Sequence, residues 1–563
     1  MIHYLKSHKE GFFLCLLIQD YNRSMNAYQT YYPRPLLKRD SFFSLCGTWD
    51  LNGHEIIVPF PPESPASLYK RPLNELVYAK TFSLPERTVK ENDKVILHFD
   101  AVDQIADVYL NDHFLIHHEG GYLPFSAEIT DFLKEENELK VIVKDELDLF
   151  YPYGKQSAKP SGMWYTPVSG IWQSVWIESY DRNGIDDLKI ETDDHTLKLH
   201  IDSNSGLFVV SFDGFEKSFE EKDITIDIAD GHLWSLEDPY LYDLHIKTEN
   251  DEVTSYFALR KVETKTIGGR QRLFLNDEPL FLNGLLDQGY FEQGIYLPED
   301  PKEYENEILA IKEMGFNCLR KHIKVEMEAY YYYCDKHGIL VLQDMVNNGP
   351  YRFFKDTVLP TIGLTKLPSP IKDQKRYDFF LEHSKETIEH LRSHPCIIGY
   401  TIYNEGWGQQ AASATYDILK KLDPQRLFDS TSGWFFDDHS DFDSYHIYFR
   451  NKVLKGKERM LLLSECGGFI RQMGENPKKA WGYGKAESEE ELTAKIIEMH
   501  EKMVIPSIDS GLVGYIMTQI SDVEGEVNGL FTYDRSQCKV DKEKIRKANQ
   551  RLADHYERLC KKA

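Results

Sequence analysis

Cysteine is scarce in this chain: 563 residues contain eight, and none forms a CxxC pair or a dense framework. That argues against a disulfide scaffold or a zinc ribbon and reads as free, mostly buried thiols in a reducing, cytoplasmic compartment. Positive charge is also short, with 66 Lys and Arg against 91 Asp and Glu and a net charge of -25. The deficit argues against nucleic acid or an anionic membrane as partner, and against polyanionic substrates. Long hydrophobic runs are missing as well. The apolar stretch from Gly11 to Ile18 is too short to span a bilayer, and the Gln19-Asp20-Tyr21-Asn22-Arg23 that follows is polar and bulky where a signal-peptide cleavage site needs small residues. Residues 1–32 read as a poorly packed extension, with Met25 as an alternative start.

What is present divides the chain. A length of 563 residues exceeds what one hydrophobic core serves, so two to four domains are expected. Over residues 33–181, short alternating apolar runs such as Val95–Phe99, Ala106–Leu110 and Leu139–Val143 predict an antiparallel β-sandwich, with Asn111-Asp112 as a hairpin turn. Residues 182–262 continue with short strands and fit a smaller, immunoglobulin-like sandwich. From 263 to 563 the pattern changes. Amphipathic helices around 302–314, 375–392, 408–421 and 487–504 alternate with eight short apolar strands, beginning with Leu280–Asn283 and Phe316–Arg320 and ending with Met460–Ser464 and Val513–Met517. This spacing predicts a (β/α)8 barrel with its chemistry at the carboxyl ends of the strands. The stretch from Asn347 to Pro370 reads as a long surface loop, and Tyr330–Tyr333 as part of a barrel helix.

Two glutamates carry the chemical reading. Glu405, in Tyr403-Asn404-Glu405-Gly406, follows the fourth predicted strand, and Glu465, in Ser464-Glu465-Cys466-Gly467, follows the seventh. Carboxylates at those two strand ends can flank one glycosidic bond. A separation of about 5 to 5.5 Å would give retention of configuration and about 6.5 to 9.5 Å inversion. No spacing of His, Cys, Asp and Glu reads as a metal-ligand set, and acid/base sugar chemistry requires neither metal nor cofactor.

These motifs resemble glycoside hydrolase family 2, which contains β-galactosidases, β-glucuronidases and β-mannosidases. Gly47-Thr48-Trp49-Asp50 and Ser169–Glu178 are similar to the family's sugar-binding jelly-roll sandwich; Trp234–Tyr242 and Phe257–Lys261 resemble its immunoglobulin-like domain. His394-Pro395 with Tyr403-Asn404-Glu405 is similar to its acid/base signature. The resemblance implies Glu405 as acid/base, Glu465 as nucleophile, Asn404 at the sugar 2-hydroxyl and Tyr448 orienting the nucleophile. It points to His446, Asp287, Arg320 and His322 as further site residues, with Trp434 and Trp407 able to stack on a sugar face or to pack.

The expected activity is that of a retaining exo-β-glycosidase, with β-galactosides first and β-glucosides, β-mannosides and uronides behind. A non-catalytic carbohydrate-binding protein on the same scaffold is the alternative. A homo-oligomer is the default for an enzyme of this size. The chain also departs from the family. Thr518 stands where many members carry a site tryptophan, and Leu285-Leu286 replaces a polar pair. The acidic stretch Glu524–Asn528 occupies the place of the Asn-x-Lys pair that holds a uronic acid, while Asn476-Pro477-Lys478 spells that pair at a loop turn. Lys321 and Lys324 keep a uronate reading open.

Overall fold

The computed structural model describes residues 27–70, 75–85, 89–361, 364–365, 369–448, 450–456, 458–473 and 480–561. Asn476-Pro477-Lys478 and the segment with Gly11–Ile18 lie outside them. In the first sandwich a six-stranded sheet runs in the order His54–Val58, Gly47–Leu51, Glu75–Phe82, Asn137–Lys144, Ile105–Leu110, His113–Glu119. It faces a four-stranded sheet ordered Phe43–Ser44, Val175–Asp181, Asp93–Phe99, Phe125–Glu128. Alternation puts Val95, Leu97 and Phe99 of one sheet against Val141, Val143 and Val108 of the other in one core. Asn111 and Asp112 both take positive φ (51° and 68°), as a two-residue hairpin loop whose twist matches its strands requires. The second sandwich pairs a three-stranded sheet (Ile185–Thr192, Thr196–Ser203, Asp223–Asp227) with a four-stranded one (Phe208–Phe212, Phe215–Phe219, Tyr242–Lys247, Glu252–Phe257).

A short antiparallel sheet, Val262–Ile267 with Arg270–Leu275, leads into the barrel. The barrel strands are β1 (Leu282–Asp287), β2 (Cys318–Lys321), β3 (Leu340–Asp344), β4 (Ile397–Asn404), β5 (Leu427–Ser432), β6 (Phe442–Ile447), β7 (Met460–Gly467) and β8 (Leu512–Thr518). They pair in parallel in the order β5-β4-β3-β2-β1-β8-β7-β6, leaving one unladdered seam between β5 and β6 among the described residues. The first strand starts two residues later than its sequence pattern suggested, because Leu280 and Phe281 lie in the connection before it. Of the helices that cover the barrel, Glu328–His337 carries the four tyrosines. Tyr330 and Tyr331 are fully buried against the barrel, and Gly338 ends the helix in the left-handed conformation (φ 70°).

Three differences from the sequence reading have physical causes. Residues 27–31 are not a loose extension: Tyr28 is 1% exposed and donates to Pro298 O (2.7 Å), so this segment belongs to the main core. Between Asn347 and Pro370 the chain forms helical turns at Phe354–Val358 and Leu359–Thr361. The helix expected from 408 begins only at Ala412, because Gly406, Gly408 and Ala411 all have positive φ. The seven described cysteines are free, and six are buried. No helix among the described residues is long and apolar enough to cross a membrane.

The domains are tied by buried polar groups. Glu178 of the first sandwich receives Arg34, Arg39 and His98, and Arg39 also pairs with Asp251 of the second. His394 and Tyr256 share Asp335 on a barrel helix, while Arg260 donates to Pro395 O and Ile397 O. The His394-Pro395 signature is thus the point where the second sandwich grips the root of β4.

Candidate active site

The carboxyl ends of β2 to β7 converge on one polar group. Arg320 on β2 is completely buried, where an unpaired charge would be costly. Its guanidinium is fully engaged. It donates from Nε to Asp344 Oδ1 on β3 (2.9 Å), from Nη2 to Asn404 Oδ1 on β4 (2.9 Å), and from Nη1 to Ser464 O and Glu465 Oε1 on β7 (both 3.1 Å). His322 lies beside it with Nδ1 2.8 Å from Asp344 Oδ2. Tyr448, just past β6, donates to the other oxygen of Glu465 and stacks on Tyr483 at 4.0 Å.

This environment sets the charge of Glu465. Burial alone would raise its carboxyl, but His446, Arg320, His322 and Lys155 outweigh burial and hold it down to about 2. The residue is therefore an aimed carboxylate. Asp344 is lowered in the same way, burial being overcome by Arg320 and His322.

Glu405 sits across the mouth. Its backbone is left-handed (φ 53°), an unusual conformation for glutamate that its surroundings must impose. Glu405 N–H donates to Ser432 O (2.9 Å), and Oε1 lies 2.6 Å from His446 Nδ1. The His446 ring is itself fixed. Ser464 Oγ donates to Tyr445 O, so Ser432 Oγ must spend its proton on Ser464 Oγ (2.9 Å) and can only accept from His446 Nε2 (3.1 Å). With Nε2 committed as donor, Nδ1 faces Glu405 and stands 3.7 Å from Glu465 Oε2, so the one ring nitrogen adjoins both carboxylates. A ligating atom from each of Glu405, His446 and Glu465 lies within 4.8 Å of the other two.

The structure brings together Glu405, Glu465, Asn404, Tyr448, His446, Arg320 and His322, with the half-buried Trp434 edge-on to His446 at 6.2 Å. One expectation, that for Asp287, needs correction, and Trp407, for which stacking and packing were both open, packs. Asp287 does not face the mouth: it is in register with Lys321, one residue past the inward-pointing Arg320, and alternation turns both toward the helices. There Asp287 Oδ2 pairs with Lys321 (2.6 Å), whose ammonium lies over Tyr330. Trp407 is 2% exposed and donates to Gly349 O (2.9 Å), so it packs and offers no sugar platform. Asp344, Ser432 and Ser464 had gone unnoticed. Asp344 and Ser432 each end a barrel strand, and asking what polar residue closes every strand would have found them. A cavity of about 550 Å³ between the two sandwiches and the barrel helices is lined by Arg34, His98 and Trp176 and by none of these residues.

Comparisons with known proteins find a match in each of the three domains. Residues 66–166 match the glycosyl hydrolase 2 galactose-binding domain-like family, residues 184–260 glycosyl hydrolases family 2, and residues 270–462 the family 2 TIM barrel domain. The chain belongs to glycoside hydrolase family 2. A β-galactosidase of Thermoanaerobacter pseudethanolicus is 25% identical over 347 residues, 57% of this chain and 43% of that protein. One from Thermoanaerobacterium thermosulfurigenes is 29% identical over 293 residues, 46% and 39%. The chain spans about two fifths of the length of the curated relatives it matches. Among solved structures, a β-glucuronidase from an uncultured Clostridium sp. superimposes with TM-score 0.73 at 18% identity, covering 93% of this chain and all of that one. A β-D-glucuronidase from Dictyoglomus thermophilum gives 0.72 at 18%, covering 92% and 98%.

Proposed function

We propose that this chain is a retaining exo-β-glycosidase that hydrolyses terminal β-linked sugars by double displacement. The observation that carries the reading is that a carboxylate oxygen of Glu405 comes within 4.8 Å of one of Glu465, nearer to the spacing of roughly 5 to 5.5 Å for retention than to the roughly 6.5 to 9.5 Å for inversion. Glu465 attacks the anomeric carbon as Glu405 passes its proton to the departing glycosidic oxygen. A covalent glycosyl-enzyme results. Glu405 then takes a proton from water, whose oxygen attacks the same carbon and releases Glu465. Arg320 and Tyr448 hold one oxygen of Glu465 each, and Asn404, with its Oδ1 committed to Arg320, keeps its amide hydrogens for a sugar hydroxyl.

For the sugar we assign a β-galactoside, on the strength of the curated relatives. A β-uronide is the second reading, favoured by one cation considered below. The test is reaction with a 2-deoxy-2-fluoro-β-galactoside bearing an activated leaving group, followed by peptide mass spectrometry. An adduct on Glu465 is expected; product released with inverted configuration from an ordinary galactoside would reject the mechanism. Failure of a broad panel of p-nitrophenyl β-glycosides to turn over, with sugar still bound, would leave a carbohydrate-binding protein instead.

A further inference from the structure

Four lysines among the described residues are at least nine-tenths buried: Lys155, Lys321, Lys324 and Lys539. Three are matched by carboxylates, Lys321 by Asp287 and Glu326, Lys324 by Glu326, and Lys539 by Asp522, all within 3.1 Å. Among the described residues Lys155 has no ion pair and no side-chain hydrogen bond, and its ammonium has the Trp164 ring 5.9 Å away. Its stem is enclosed while its positive charge has no carboxylate of the described residues against it, which leaves the ammonium open to an anion that arrives from outside.

The position of Lys155 says where that anion would sit. Lys155 O accepts from Tyr165 N (3.0 Å), in a segment that the first sandwich sends into the barrel mouth. Trp164 meets Trp407, two residues past Glu405, at 5.0 Å, and Tyr165 donates to Glu526 Oε2 (2.5 Å). The charge of Lys155 is among those that hold Glu465 ionised, and it is felt at His322 and Glu526 too. The two acids that counted against a uronic acid in the sequence are engaged: Glu526 by Tyr165 and Asn528, Glu524 by Thr166 N. Burial also pushes the Glu526 carboxyl up.

We infer that Lys155 binds an anionic substituent of the substrate, a carboxylate on the sugar or on the aglycone, and so determines specificity at the mouth. The inference rests on the glycosidase reading of the site. It is tested on the full chain with Lys155→Met and Lys155→Arg. The substrates are p-nitrophenyl β-galactoside, β-galacturonide and β-glucuronide, with a galactoside of a carboxylated nitrophenol. The Met variant is expected to lower the ratio of anionic to neutral kcat/KM by about 10- to 100-fold, mostly through KM, with partial recovery in the Arg variant. Dependence confined to the uronides puts the anion on the sugar; dependence confined to the carboxylated aglycone puts it on the leaving-group side. Equal losses on anionic and neutral substrates would overturn the proposal. If nothing is hydrolysed, the glycosidase reading fails by itself, and Lys155 is judged by calorimetry with free galacturonate, glucuronate and galactose. Selective loss of acid binding in the Met variant sustains the inference, and acid binding unchanged by the substitution refutes it.

Discussion

Replacing Arg320 with methionine keeps much of the apolar stem and removes the guanidinium, which strands Asp344 and Glu465 together in a buried site. The structure supplies a scale. Glu465 falls from an ordinary value of 4.5 to about 2, a difference equivalent to roughly 3 kcal/mol of favourable interaction with the ionised form. His446, His322 and Lys155 supply part of that and persist in the variant. Asp344, however, loses its arginine as well, and removing one member of a buried ion pair typically costs about 3 to 5 kcal/mol. We therefore expect Arg320→Met to lose about 3 to 5 kcal/mol in the unfolding transition of the barrel at pH 7. The pH dependence has a fixed sign. A carboxylate whose folded pKa is depressed contributes stability that is complete above 4.5 and lost as pH falls toward 2. The wild type holds that contribution in full at pH 7 and the variant only the part left by His446, His322 and Lys155, so the gap between them is widest at neutral pH and closes on acidification below 4.5. Urea unfolding of both proteins from pH 3 to 8, followed by tryptophan fluorescence, measures it. A difference under about 1 kcal/mol at pH 7, or one that grows in acid, would refute the account of Glu465 as a carboxylate held ionised by Arg320.

Other outcomes follow from the same geometry. Glu405→Gln should slow glycosides of poor leaving groups far more, by about 100-fold or greater, than those of activated phenols, read as the slope of kcat/KM against leaving-group pKa. Gly433→Ala would place a Cβ 2.6 to 2.7 Å from atoms of the His446 ring on a backbone at φ 100°; we expect about 1 to 3 kcal/mol of destabilisation in thermal unfolding and at least a tenfold fall in kcat as His446 is pushed from Glu405. Tyr28→Ala should cost about 3 kcal/mol in urea unfolding, whereas a change below about 0.5 kcal/mol would mean that the segment contributes little.

The barrel was legible because its strands are short apolar runs bounded by helices, and Glu405 and Glu465 because each closes such a run before glycine. Residue roles that depend on which way a strand faces were not. Asp287 ends its strand and Arg320 stands one residue before the end of the next, and that single step of alternation turns Asp287 toward the helices while Arg320 points inward. Helix starts failed where glycines delayed them, as at Ala412. Lys155 was beyond local reading, since its neighbour Trp164 reaches the barrel through Trp407, a contact between domains that no periodicity encodes. Tyr28 is similar: its burial depends on Pro298, 270 residues away.

The unladdered seam between β5 and β6 has a mechanical consequence. Around the rest of the ring neighbouring strands are clamped by ladders of backbone hydrogen bonds, but here a single backbone bond, from Asp441 N to Phe428 O, stands at the base of the seam, and nearer the mouth the closure runs through side chains, from Ser444 to Asp429 and from His446 to Ser432. The partner that steadies Glu405 is therefore mounted on the softest joint of the barrel. Any breathing of the ring will alter the 2.6 Å contact between His446 and Glu405 sooner than it disturbs Arg320 and Glu465, which sit on the laddered side. Hydrogen exchange should find backbone amides of β6 opening before those of β2 and β3, so that heat or denaturant blunts proton delivery while the nucleophile is still in place.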